Sequence, residues 1–359
     1  MARATTVTVN LDNVLHNYRL AKSMAPEQKA VAVVKANAYG HGAVAVAKKL
    51  APEADAFAVA CIEEAVELRE AGIEGQPILL LEGFFTADEL DYISANNLWT
   101  GVHNQRQLND IKNAQLSQPI TVLLKMDSGM HRLGFAPEEY AAVYHELKAL
   151  PQVKDVILMS HFTSADDMSS PMTQKQIEVF DAATRELDAD VSIANSAATL
   201  MHADARRNWQ RPGIMLYGSS PFTDNPEIDR QLKPAMTLTS EVIAIHDLEP
   251  GEAIGYSGTW VCEKPTRVGT IAVGYADGYP RQAVNGTPVI VNGQRTKIIG
   301  RVSMDMLTVD LTDIDANLGS TVELWGENLL ANEVAPCCGT ISYTLFSCIT
   351  ARVHRKYIG

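Results

Sequence analysis

Two lysines, a histidine and an arginine border short apolar runs in this chain, and each is a residue type that does chemistry. Lys35 follows Val31-Ala-Val-Val34, and Lys125 follows Ile120–Leu124. Ser160 and His161 follow Val156–Met159, Asn195 and Ser196 follow Val191–Ala194, and Glu82 ends the run Ile78–Leu81. Arg211-Pro-Gly213 leads into Ile214–Tyr217. A lysine held among apolar neighbours has its pKa lowered and becomes a nucleophile able to form an imine. Position alone also fits an ordinary lysine at the start of a loop. The histidines have no metal-ligand spacing, so no metal is expected. Gly40-His-Gly42 lacks the spacing of a phosphate-binding P-loop.

These residues need a scaffold. Apolar runs recur at Ala30–Val34, Ala56–Ala60, Ile78–Leu81, Leu98–Val102, Ile120–Leu124, Val156–Met159, Val191–Ala194 and Ile214–Tyr217, as in strands buried on both faces. Helical patterns lie between them: Ile62–Ala71 stopped by Gly72, a Thr86/Glu89 cap before Leu90, and Thr173–Leu187. Eight strands alternating with helices predict a (β/α)8 TIM-like barrel over residues 10–233, whose chemistry sits at the C-terminal strand ends. No G-x-G-x-x-G follows the first run, so a dinucleotide fold is not indicated. Beyond Pro234 helical periodicity gives way to alternating stretches punctuated by Gly and Asn. A mainly β C-terminal domain is expected over 234–359, with residues 5–9 as a strand that could join it.

Bulk properties exclude several classes. A net charge of −13 argues against a nucleic-acid binder, which needs a basic face. No apolar run reaches the roughly 20 residues of a membrane span, and the N-terminal segment lacks the apolar core of a signal peptide. A cytoplasmic chain is expected. The five cysteines are irregularly spaced without a C-x-x-C pair, which predicts reduced thiols rather than a disulfide framework.

The string Val33-Val-Lys-Ala-Asn-Ala-Tyr-Gly-His-Gly42 resembles the alanine racemase family. So do Lys125-Met-Asp-Ser-Gly-Met-His-Arg-Leu-Gly134, Arg211-Pro-Gly-Ile214, Gly255-Tyr-Ser-Gly-Thr-Trp260, Gly274-Tyr-Ala-Asp-Gly-Tyr-Pro280 and Gly300-Arg-Val-Ser-Met-Asp305. The resemblance runs in order along essentially the whole chain. It implies racemisation of L- and D-alanine with pyridoxal 5′-phosphate, either to supply D-alanine for peptidoglycan or to allow alanine breakdown. A broader serine/alanine racemase is the alternative.

The resemblance also implies roles. Lys35 would hold the cofactor and serve as base on one face of the substrate, and Tyr256 on the other. Tyr256 would come from the second subunit of a head-to-tail homodimer. A free tyrosine titrates near 10, so Tyr256 needs a partner, and His161 backed by Arg211 would supply it. Arg211 would face the pyridine nitrogen and keep it unprotonated, weakening the electron sink and shortening the time open to transamination. Tyr39, Ser196, Gly213, Ile214 and Tyr343 would bind the phosphate, in keeping with phosphate binding after barrel strands seven and eight. Arg132 would take the substrate carboxylate. Met304 and Asp305 would contact that carboxylate from the partner subunit, and Tyr275 and Tyr343 would narrow the entrance to suit a methyl side chain. Asp166 and Arg281 would flank the outer approach. Lys125 would be carbamylated, relieving its repulsion with Arg132. Three rivals remain at this point: a non-catalytic cofactor carrier, a decarboxylase of related architecture, and a cofactor-free aldolase using Lys35 or Lys125.

Overall fold

The structure is a computed structural model that describes residues 3–222 and 225–359. It begins with strand β1 (Thr6–Asn10) and a helix over Leu11–Ser23, whose Asn10 side chain caps the N–H of Asn13. Eight strands then form one parallel sheet: β2 (Lys29–Val33), β3 (Ala56–Val59), β4 (Ile78–Leu80), β5 (Leu98–Val102), β6 (Ile120–Lys125), β7 (Val153–Met159), β8 (Val191–Ser192) and β9 (Trp209–Gln210). Their order is β8-β7-β6-β5-β4-β3-β2-β9, each strand beside its sequence neighbour except that β9 returns to β2. This is the TIM-like arrangement. Alternate side chains pack inward, where Val31, Val33, Leu79, Leu123, Ile157 and Met159 form a core separate from the one beneath the helices.

The last seam, between β8 and β9, is closed without a ladder. Arg211 N–H donates to Ala194 O at 2.9 Å, Ser192 Oγ–H to Trp209 O at 2.9 Å, and Val191 N–H to Asn208 Oδ1 at 2.9 Å. The eighth barrel strand is therefore Trp209–Gln210, and the expectation of a strand over Ile214–Tyr217 is corrected. That segment is a 3-10 turn buried on every side. Burial alone made it apolar, and Pro212 supplies no N–H with which to pair a strand there.

The remaining strands are β10 (Met236–Leu248), β11 (Ala253–Ile254), β12 (Trp260–Val261), β13 (Thr266–Ile271), β14 (Pro288–Val291), β15 (Gln294–Lys297), β16 (Leu307–Asp310), β17 (Thr321–Trp325) and β18 (His354–Ile358). They build a mainly β region around the order β15-β14-β17-β10-β1-β18. β1 pairs antiparallel with β10 and parallel with β18, so the N-terminal strand sits in the C-terminal sheet. Two short helices, Ala331–Cys337 and Ser342–Ser347, interrupt this region where no helical pattern is expected. Each spans two turns or fewer, and Pro336 lies inside the first, so neither carries a readable period. All five cysteines are free.

Candidate active site

β2 ends at Val33, and the chain turns the wrong way. Ala36, Asn37, Ala38 and Tyr39 all have φ of 52–53°. This is a turn of left-handed helix made without glycine, at a cost of about 1–2 kcal/mol per residue. Backbone bonds from Ala38 N–H to Val34 O at 2.8 Å and from Gly40 N–H to Ala36 O at 3.0 Å hold it. Glu64 locks its start: one carboxylate oxygen accepts Ala36 N–H at 2.6 Å, the other Ala60 N–H at 2.8 Å. Arg355 holds its end through Gly40 O at 2.9 Å. The strained turn places Lys35 at one end and Tyr39 at the other.

Tyr39 packs on Tyr217 and Tyr343, with ring centroids 4.9 and 5.9 Å away. Its hydroxyl lies only 2.7 Å from where a Cβ on Gly213 would sit, so only glycine leaves that space open. Ser196 Oγ accepts Gly213 N–H at 2.8 Å and Met215 N–H at 3.4 Å. Burial pushes the Tyr39 phenol up to about 12 and raises Tyr343 as well, with the nearby Tyr39 and Asp166 adding to the latter. Both phenols stay protonated and can donate. Tyr39, Ser196 and Gly213 thus meet, with Ile214 next in the chain.

Arg211 is buried with its guanidinium spread across two strand ends. It donates to Ser192 O at 2.5 Å, Ser192 Oγ at 2.7 Å and Ser160 O at 2.7 Å. Its close partners are uncharged, and burial lowers it to about 10. A fourth contact reaches His161 Nδ1 at 3.4 Å. Arginine has no acceptor, so Nδ1 must accept and the His161 proton sits on Nε2. Burial, then the charges of Arg211, Lys125, Arg132 and Lys35, hold His161 well below the usual imidazole range.

Lys125 and Arg132 meet because the loop between them folds back. Phe135 N–H donates to Lys125 O and Asp127 N–H to Phe135 O, both at 2.9 Å. Asp127 caps the N–H groups of Gly129 and His131 inside the loop. Burial first, then Arg211, Arg132 and Lys35, bring Lys125 down to about 8, against a raising contribution from Glu82. Lys35 is lowered too, chiefly by burial and also by Arg132 and Arg211, with Glu82 and Glu64 opposing. Four cationic side chains thus converge where the nearby acids are Glu82 and Glu64, an arrangement suited to anions.

Tyr256, Tyr275, Met304 and Asp305 stand elsewhere, in the β region. Tyr256 tips a turn between β11 and β12, two-thirds exposed, between Gly255 and a left-handed Ser257. Tyr275 and Met304 are 37% and 53% exposed, enough to present side chains to a second molecule. The Asp305 carboxylate is taken by Arg352 at 2.7 Å. Asp166 and Arg281 are exposed. Glu64, Asp277 and Arg352 escape a reading by residue type, because their partners are backbone groups or lie far along the chain.

Residues 9–221 match the family described as alanine racemase, N-terminal domain, and residues 235–357 its C-terminal domain. The chain is 52% identical over 358 residues to an alanine racemase of Pseudomonas taetrolens, covering 99% of each. It belongs to the alanine racemase family. A catabolic alanine racemase of Pseudomonas putida is 51% identical, again over 99% of each chain. A biosynthetic alanine racemase of Pseudomonas aeruginosa superposes with a TM-score of 0.97 at 48% identity, over 99% of this chain and 100% of that one. The alanine racemase of Acinetobacter baumannii gives 0.94 at 37%, with the same coverage. Alanine racemases of both biosynthetic and catabolic description thus share this architecture.

Proposed function

We propose that this enzyme interconverts L- and D-alanine with pyridoxal 5′-phosphate, at the barrel mouth where Lys35, Lys125, Arg132, His161 and Arg211 converge. That convergence of cations around a partly buried lysine, in a chain of this family, carries the reading.

The residues fit the cofactor. Lys35 offers a partly buried amine with lowered proton affinity, and the Tyr39 hydroxyl packs against Gly213 beside Ser196, polar groups suited to a phosphate. Tyr39, Ser196, Gly213, Ile214 and Tyr343 would hold that phosphate, and Arg211 the pyridine nitrogen. When bound, the cofactor delocalises the electron pair left at the substrate Cα. The chain does the rest. Lys35 Nζ moves a proton on one face of Cα, and Tyr256 from a second copy of the chain moves one on the opposite face. His161, protonated on Nε2, donates to the Tyr256 oxygen and favours its phenolate; Arg211 fixes that tautomer. Arg132 binds the substrate carboxylate, and Met304 with its neighbour Asp305 approaches it from the second copy. Tyr275 and Tyr343 limit the entrance to small side chains.

The working unit is accordingly a homodimer with shared sites, in the cytoplasm, with residues 10–233 and 234–359 as its two domains. Among the described residues no helix is long and apolar enough to cross a membrane. Lys125, at about 8, keeps an appreciable neutral fraction near neutral pH. Its amine can therefore add to CO2, forming an N–C bond and releasing a proton, and the resulting carbamate neutralises Arg132. A carbamate carbon signal from ¹³C-bicarbonate, absent in Lys125→Ala, is expected; its absence from the wild type would reject the modification. The reading as a whole is tested by a chiral assay of purified protein with each alanine enantiomer, with and without added cofactor. Exchange in both directions is expected, and none with cofactor bound would overturn the reading.

A further inference from the structure

The Tyr275 and Met304 turns are short, and each is closed locally, by Gly278 N–H to Tyr275 O at 3.1 Å and Ser303 N–H to Met306 O at 2.8 Å. Tyr275 starts a three-residue 3-10 turn, and Met304 lies in an irregular segment outside any strand. They are also fastened to each other. Tyr275 N–H donates to Ser303 O at 3.0 Å and Ala276 N–H to Met304 O at 2.9 Å. A Cβ on Gly274 would fall 2.4 Å from both Ser303 O and Met304 O, so the two turns are in contact at a point only glycine permits.

Behind them lies a row of alternating charge. Asp277 is fully buried. One of its oxygens meets Arg352 Nε at 3.0 Å; the other accepts Gly274 N–H at 2.9 Å and an Arg3 N–H at 2.7 Å. Arg352 continues to the Asp305 carboxylate at 2.7 Å, and Arg3 returns to Asp305 O at 3.1 Å. Asp277 O also accepts Thr350 N–H at 3.1 Å, just after the helix that carries Tyr343.

We infer that Asp277 and Arg352 are positioning residues for the substrate entrance: the row Asp305–Arg352–Asp277–Arg3 locks the Tyr275 and Met304 turns into one rigid wall. The inference rests on the proposed function for the site that this wall bounds. Each arginine fork spans two chain segments, so neither turn can shift without breaking a charge-assisted bond. Asp277 is buried and Arg352 exposed, so truncating Arg352 leaves the buried carboxylate still bonded to Arg3 and Gly274 and spares the fold.

Arg352→Ala is therefore the test. A loosened entrance raises KM for alanine about tenfold with kcat little changed. It also raises the rate with serine relative to alanine, and Arg352→Lys recovers much of both. Asp277→Asn keeps an acceptor for Gly274 N–H and shows the same split more strongly. Unchanged KM and side-chain preference in Arg352→Ala would overturn the inference. So would a fall in kcat at constant KM with a lowered melting temperature, the mark of a merely structural role. Heterodimers of Arg352→Ala with Lys35→Ala place the wall in the molecule. Their single working site uses Lys35 of one chain and the intact wall of the other, so KM returns to the wild-type value. A raised KM there would overturn placement of the wall in the neighbouring site. Failure of the wild type to racemise would instead strike the proposed function.

Discussion

Glu64 shows how a residue can serve a site without entering it. Its two oxygens join the backbone just after Lys35 to the end of the neighbouring strand. Glu64→Gln can accept only one of the two N–H groups and turns a donor toward the other. A cost of about 1–3 kcal/mol is expected, with kcat down about tenfold as Lys35 drifts. Thermal unfolding and steady-state kinetics check both, and a variant of full activity would deny Glu64 any positioning role. His41 is a second case. It is fully buried, its Nδ1 lies 3.1 Å from two carbonyls, and burial lowers it to about 4 from the ordinary 6.5. The folded state therefore resists its protonation. Its contribution is complete above pH 6.5 and is lost as pH falls from 6.5 through 4, amounting to about 3 kcal/mol. Stability measured across that window should fall less steeply in His41→Gln, with His161 accounting for part of what remains. Equal slopes would remove His41 as a source.

At the scale of elements, the proposed site residues were readable because barrel strands are short, apolar and end abruptly. Lys35, Lys125, His161 and Ser196 all stand at such ends. The eighth strand was not readable, because the two residues Trp209–Gln210 carry no pattern while the buried 3-10 turn after them imitates one. The helix bearing Tyr343 was hidden by its brevity. Nor does the left-handed turn over Ala36–Tyr39 show in composition, since alanine there argues for a right-handed helix. Ala36 is exposed at φ 52°. Glycine at this position removes the steric cost of the left-handed region, so Ala36→Gly should gain about 1 kcal/mol in stability. The same freedom loosens Lys35, so activity should fall as the melting temperature rises. Ala36→Val should lose stability, because a β-branched side chain fits this region worst. If all three proteins melt together, the turn stores no strain.

At the scale of the whole molecule, the proposed site residues fall into two groups, one at the barrel mouth and one on the β region. The barrel mouth gathers Lys35, His161 and Arg211, while Tyr256, Tyr275 and Met304 are displayed at the surface of the β region. Val284 and Met306 are exposed with them, at 57% and 43%. Apolar and aromatic side chains left exposed in numbers mark a surface awaiting a partner. The proposed two-fold dimer would pair each barrel mouth with the other chain's β region twice over. Neither Lys35→Ala nor Tyr256→Phe homodimers should then racemise alanine. A heterodimer of the two rebuilds one site from Lys35 of one chain and Tyr256 of the other, and loses both groups from its second site. Separately tagged chains purified as the mixed dimer should show about half the wild-type rate per dimer. If both groups instead acted within one chain, every site in the mixture would lack one of them, and the heterodimer would be as inactive as its parents.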